Sequence, residues 1–200
     1  MVSTRDRILD AAAHVIRERG VARASTKLIA RQAGLSEAML YKHFDSKHEL
    51  FLHVILERLP RLSAVVSDLP KQVGRRSVQE NLERVAAAAI EFYAAGFHMT
   101  ASLFSEPQLL EDFRRWAAER GAGPHVPVGM VAEYLDAERR LGRVVPEADP
   151  PAVAALLMGA CFHRALLDRF TSEAPTETGR ATPEALVAAL CRPLLAPSSG

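Results

Sequence analysis

The chain has 200 residues, 48% of them hydrophobic, and a formal net charge of +1. That is enough apolar side chain to bury a core in one large or two small domains, and the charge balance excludes a polycation. The charge is uneven, because residues 1–55 hold nine Lys/Arg against six Asp/Glu while the remainder is slightly acidic. A basic head on an acidic body is compatible with a nucleic-acid partner but does not specify one.

Cys161 and Cys191 lie in apolar runs and read as reduced thiols acting as small core hydrophobes. The N-terminal MVSTRDRILDAAAHVIRERG interleaves charges with its apolar positions, so it does not read as a signal peptide. No stretch approaches the ~18 uninterrupted apolar residues that a membrane span needs. The expectation is a cytoplasmic protein with no membrane partner.

In chain order, the first helix is expected over 4–19, with Ile8, Ala12, Val15 and Ile16 on one face, Ser3 or Thr4 as cap and Gly20 as stop. His14 falls off that face and reads as a surface residue. A second helix covers 26–33 behind Ser25 and stops at Gly34; a short third covers 36–43 behind Ser36. A fourth opens at Ser46, followed three residues later by Glu49 in a capping-box pattern, and Pro60 bends or breaks it. The run PKQVGRR (70–76) reads as a loop. Helices follow at 77–103, where Gly96 marks a weak point, and at 107–120, 127–141, 151–170 and 183–192, the last stopped or kinked by Pro193. TSEAPTETGRA reads as a polar loop and the tail APSSG as disordered. Strand signals are almost absent, so the fold class is all-α with about nine helices.

Residues 25–47, STKLIARQAGLSEAMLYKHFDSK, form one unit. Ile29, Ala30 and Ala33 face inward on the second helix, Gly34 suits a turn with positive φ, and Leu35 and Leu40 fill the angle between the helices. Eight helical residues extend only ~12 Å, which fits a major groove ~12 Å wide. Thr26, Lys27, Ser36, Glu37, Tyr41, Lys42, His43 and Lys47 are left as donors, acceptors and an aromatic on one outer surface. The same pattern also suits an ordinary helical hairpin with a solvated charged face, and these residues alone do not separate the two.

A resemblance does. ILDAAAHVIRERGV (8–21) and STKLIARQAGLSEAMLYKHFDSKHELF (25–51) resemble the DNA-binding domain of TetR-family transcriptional regulators, from Thr4 to Val54. The resemblance implies a helix-turn-helix DNA-binding domain at 1–55 and a helical ligand-binding and dimerisation domain at 56–200. Thr26 and Lys27 would contact phosphate or an adjacent base. Glu37, Ala38, Met39, Tyr41, Lys42 and His43 would stand at recognition positions with Ser36 at their head, and Lys47 would hold a phosphate at the fourth helix's N-terminus. Met39 replaces a usually small or hydroxylated residue, which favours thymine-methyl contact. Glu37 would be repelled by phosphate, so it either reads a cytosine amino group or points away.

For the rest of the chain, the resemblance implies layout alone. The helices at 151–170 and 183–192 would pair with their symmetry mates, with Ala152, Ala155, Leu156, Gly159 and Leu186 (and Ala160) at a homodimer interface. The helices between 60 and 145 would enclose a small apolar effector, for which Phe92, Tyr93, Phe97, His98, Met99, Phe104, Trp116, Met130 and Tyr134 are the available lining. The implied function is a repressor that binds a palindromic operator as a dimer and is released by that ligand. No cofactor or metal is implied: His43, His48 and His53 recur every five residues, which spreads them around a helix. No Gly-rich phosphate loop, G-x-S-x-G, H-E-x-x-H or C-x-x-C supports an enzyme, and a purely structural adaptor would not require the polar short helix.

Overall fold

The computed structural model describes residues 2–58, 62–170 and 181–195, and within them ten α-helices, one 3₁₀ turn (Val21–Arg23) and no strand. The helices are α1 (Thr4–Arg19), α2 (Thr26–Gln32), α3 (Glu37–Tyr41), α4 (Lys47–Arg58), α5 (Leu62–Gln72), α6 (Val78–Ser105), α7 (Pro107–Glu119), α8 (His125–Arg140), α9 (Pro150–Phe170) and α10 (Pro183–Leu194). The break expected at Pro60, most of the loop TSEAPTETGRA and the tail APSSG lie outside the described residues.

Two differences from the expected elements have simple causes. Pro70 does not open a loop; α5 runs through it to Gln72. A proline inside a helix costs ~3 kcal/mol through a lost donor and a ring clash. Leu62, Val66 and Leu69 are each almost wholly buried on one face of that helix, and at ~1.5–3 kcal/mol per side chain their burial outweighs the cost. α8 starts at His125, two residues before the expected position. Pro127 therefore falls in its first turn, where a missing N–H has no helical partner to lose. Gly96 leaves α6 unbroken.

By packing, the chain divides into a unit of Met1–Leu59 with Ala95–Gly121 and a unit of Pro60–Ala94 with Ala122–Gly200. The end of α6 and all of α7 are thus built onto the N-terminal helices, a partition that the sequence boundary at residue 55 does not contain.

In the first unit, α1 is the hub. Ser3 caps it by accepting from the Asp6 N–H at 3.0 Å, and Ile8, Leu9, Ala12, Val15 and Ile16 are buried against Ile29, Leu40, Phe44, Leu50 and Val54. Met99, Leu103 and Leu109 join the same cluster from α6 and α7. Ion pairs clamp α4 to α1: Arg58 reaches Asp6 and Asp10, both at 2.7 Å, and Arg5 reaches Glu57 at 2.6 Å. Farther along, His48 Nδ1 meets Asp112 at 3.0 Å, tying α4 to α7.

In the second unit, Leu62, Val66 and Leu69 pack with α8 residues Val131 and Leu135, the α6 positions Leu82, Val85, Ala86 and Ala89, and apolar residues of α9 and α10. A buried polar chain crosses this core. Asn81 Nδ2 donates to the Tyr134 hydroxyl at 2.9 Å, and the buried Glu138 carboxylate accepts from Arg143 at 2.9 Å and from the Gly74 N–H at 3.2 Å. Four segments are pinned by this one carboxylate and one phenol, since a buried charge is tolerated only when its partners are all present. Cys161 and Cys191 are free and buried, and desolvation pushes both thiols up to about 11, consistent with inert core residues. Averaged over its length, Pro150–Arg169 is apolar enough to cross a membrane, with mean hydropathy 1.4. Its run is interrupted by Arg164, paired with Asp168 at 3.2 Å, and Ala154, Leu157, Met158 and Cys161 pack into the core.

The clamp on α1 has a pH signature. The hydrogen bond from Arg5, assisted by His53, lowers the Glu57 carboxyl from an ordinary 4.5 to about 2. A carboxyl depressed in the folded state adds stability that is complete above its unfolded value and is lost as pH falls through the folded one. Glu57→Gln is therefore expected to lower the melting temperature at neutral pH. That gap should narrow as pH falls from about 5 towards 3. A gap independent of pH, followed by circular dichroism, would show that Glu57 contributes through packing alone.

Candidate nucleic-acid interface

The helix-turn-helix is built by its caps. Ser25 accepts from the Leu28 N–H at 3.2 Å and Ser36 from the Met39 N–H at 3.2 Å, so each hydroxyl sets the first turn of its helix. Between them Gly34 has φ +67°. The Leu35 N–H bonds the Ala30 carbonyl at 2.9 Å and the Gly34 N–H bonds Arg31 at 3.1 Å, the paired bonds of a Schellman turn. Arg7 of α1 donates to the Ala33 carbonyl at 2.8 Å and braces the turn from outside. Leu40 is fully buried, and Leu35 packs half-buried on the same core.

α3 is shorter than expected, five residues instead of eight. Past Tyr41 the chain tightens, with His43 N–H on Leu40 O at 3.0 Å, because Phe44 must turn inward to be buried. The first turn of α4 is capped by Ser46, which accepts from the Glu49 N–H at 3.0 Å. The Glu49 carboxylate reaches back to the Asp45 N–H at 2.5 Å, one residue further than an ordinary capping box.

The expected contact residues are brought onto this one substructure. Lys27, Ser36, Glu37, Ala38, Tyr41, Lys42 and His43 are exposed, while Thr26, Met39 and Lys47 are half-buried. Thr26 Oγ1 donates to Glu37 Oε1 at 2.5 Å, with the Tyr41 hydroxyl 3.4 Å away. Lys47 Nζ lies 5.0 Å over the Phe51 ring, which holds the cation close to the head of its helix. Of the histidines, His48 and His53 are engaged by Asp112 and Glu57, and His43 is exposed. Sequence reasoning missed Arg7 as the brace of the turn; its partner lies 26 residues away, and no local pattern signals it.

The candidate effector residues are not brought to one place. Phe92, Tyr93, Met130 and Tyr134 belong to the core of the second unit. Met99, Phe104 and Trp116 belong to the first, where Phe104 is 73% exposed and Trp116 lines an open groove of about 300 Å³ with Leu52, His48 and Asp112. Phe97 also falls in the first unit, and the His98 side chain lies outside the described residues. The candidate pairing residues do share a face: Ala152, Ala155, Leu156 and Gly159 are all exposed on α9, Leu156 at 65%, and Leu186 of α10 is half-buried.

Residues 8–54, which contain this whole substructure, match the model of the bacterial regulatory proteins of the tetR family. This segment carries the DNA-binding domain of the tetR family. Its fold matches a putative TetR-family transcriptional regulator from Mesorhizobium loti with a TM-score of 0.73 at 22% identity, over 96% of this chain and 97% of that one. It also matches SmeT, the repressor of a multidrug efflux pump of Stenotrophomonas maltophilia, in a complex with triclosan (TM-score 0.69, 20% identity, 98% and 93% of the two chains). In sequence, 89 residues are 35% identical to the transcriptional activator FasR of Mycolicibacterium smegmatis, covering 44% of this chain and 38% of that relative. The curated relatives that this chain matches are named as helix-turn-helix transcriptional regulators and nucleoid occlusion factors.

In this TetR-family domain a Cβ at position 34 would meet only Arg7 Nη2, at 3.5 Å, so the cost of filling it is conformational. Gly34→Ala is expected to destabilise the domain by about 1–2 kcal/mol, and Gly34→Asn by less, because Asn tolerates the left-handed region. Urea unfolding that ranks alanine as the milder substitution would contradict this.

Proposed function

We propose that this TetR-family regulator is a homodimeric repressor acting in the cytoplasm, which seats α3 of each protomer in successive major grooves of a palindromic operator and is released by a small apolar ligand. The observation that carries the DNA half is the exposed face of α3 with its flanking residues, polar and fixed from behind by Leu40, Ser36 and the Gly34 turn. On this reading Lys42, His43 and Glu37 read base edges, and Met39 and Ala38 offer apolar contact to thymine methyls. Lys27 and Lys47 neutralise phosphates. Residues 1–55 serve as the reading domain and the remainder as the regulatory one.

Dimerisation is supported by α9. Leu156 stands 65% exposed among Ala152, Ala155 and Gly159, and small residues let two helices approach closely. A two-fold pair would present its recognition helices one helical turn, ~34 Å, apart. Release by an apolar ligand is supported by the aromatic residues of the second unit, where Phe92 and Tyr93 meet edge to face at 5.6 Å and Tyr93 meets Phe162 at 5.4 Å. The triclosan complex of SmeT supports the same reading by likeness of fold. FasR is named an activator, and a reporter placed downstream of the operator distinguishes the two directions.

Gel-shift titration on DNA from the native upstream region, over a range of salt concentrations, tests the proposal. Wild type is expected to bind as a dimer. Lys47→Ala should weaken binding to all sequences about equally and reduce the salt slope by about one. Leu156→Glu should yield monomers by light scattering and lose operator affinity. A wild-type monomer at micromolar concentration that still binds the full operator would contradict the dimeric arrangement.

A further inference from the structure

The contacts of Thr26 decide what the outer face of α3 can recognise. A carboxylate has no proton to give, so in the 2.5 Å bond between Thr26 Oγ1 and Glu37 Oε1 the hydroxyl proton belongs to the threonine and points at Glu37. A threonine has only one such proton. Held in this way it cannot also be offered to a DNA phosphate. The Tyr41 hydroxyl, 3.4 Å from the same oxygen, has its own proton directed there, though at that length the bond is weak. What remains free on the bonded Thr26–Glu37 pair is acceptor capacity, chiefly the second oxygen of Glu37. An acceptor-only cluster is repelled by phosphate and satisfied by an amino group.

Resting on the DNA-reading role of α3, we propose that Glu37 is a specificity-determining residue for a cytosine in each half-site, and that Thr26 is the positioning residue that fixes its carboxylate, not a phosphate ligand. Cytosine N4 offers an isolated donor in the major groove, whereas adenine sets its N6 donor beside the N7 acceptor, which would oppose the second carboxylate oxygen. The bond between α2 and α3 spans eleven residues of sequence and joins the heads of both helices of the motif. The carboxylate is thereby held before DNA arrives, and swinging it away would break a charge-assisted bond. Ser36 Oγ accepts from the Met39 N–H, while the Thr26 proton goes to Glu37.

Selection of bound duplexes from a randomised pool, followed by affinity measurements on each single-base variant, tests this. Wild type is expected to prefer cytosine at one position per half-site by roughly tenfold. Glu37→Gln should move that preference to adenine, which glutamine can bind through both N6 and N7. Thr26→Val should erode the cytosine preference several-fold, more than it lowers affinity for unrelated duplex, and Thr26→Ser, which keeps the hydroxyl, should restore it. Melting curves of the four proteins control for folding. A Thr26→Val variant that loses affinity equally for all sequences while keeping its cytosine preference would identify a phosphate contact and overturn the positioning role. An unchanged base preference in Glu37→Gln would overturn the reading role. Failure of the wild type to bind any duplex would instead overturn the DNA-reading proposal, and this one with it.

Discussion

The left-handed turn at Gly34 is the constraint on which the DNA-binding unit depends. With φ at +67° the chain leaves α2 and reverses within two residues, so that Leu35 and Leu40 return to the core built around α1. An alanine would cost about 1–2 kcal/mol there, a penalty of the same order as the ~1.5–3 kcal/mol gained by burying one leucine. Because the turn is closed by backbone bonds from Leu35 and Gly34 and braced by Arg7, the head of α3 is defined to within a residue. Everything proposed about recognition follows from that placement, since a reading helix must present the same side chains at the same height each time.

Charge is used in two different ways in the chain. Arg5 and Arg58 are committed to Glu57, Asp6 and Asp10 and fasten α4 to α1. Arg143 is committed to Glu138, and Arg139 and Arg140 to Asp136. By contrast Arg17, Arg19, Arg23, Lys27, Arg31 and Lys42 form no ion pair among the described residues. These six stand within the first 42 residues, and Arg75, Arg76, Arg84 and Arg192 of the second unit form no ion pair either. Cations paired with carboxylates inside the protein contribute to its fold; cations left unpaired in a basic segment release counterions when they meet a polyanion.

Much of the DNA-binding unit was legible in the sequence because its signals are local. Ser3, Ser25, Ser36 and Ser46 each cap the helix they precede, and Gly20 and Gly34 end the helices they follow. Pro70 departs from the local rule for proline because tertiary burial of Leu62, Val66 and Leu69 decides the outcome. The Asn81–Tyr134 bond and the Glu138–Gly74 bond join residues 53 and 64 apart, and no periodicity encodes such a pairing. The aromatic and methionine residues proposed for an effector were selected by size, which is why the fold distributes them over two units. Thr26 and Glu37 were both recognised as candidates, but the bond between them depends on the angle of the turn, which composition does not give.

The central claim is that the outer face of α3 lies in the major groove. Methylation interference on a duplex recovered by selection tests it directly, because dimethyl sulfate modifies guanine N7 in the major groove and adenine N3 in the minor. Interference is expected at guanine N7 in two clusters, one helical turn apart on the same face of the duplex. Interference confined to adenine N3, or absent at guanines of a duplex that the protein binds tightly, would contradict the placement of α3.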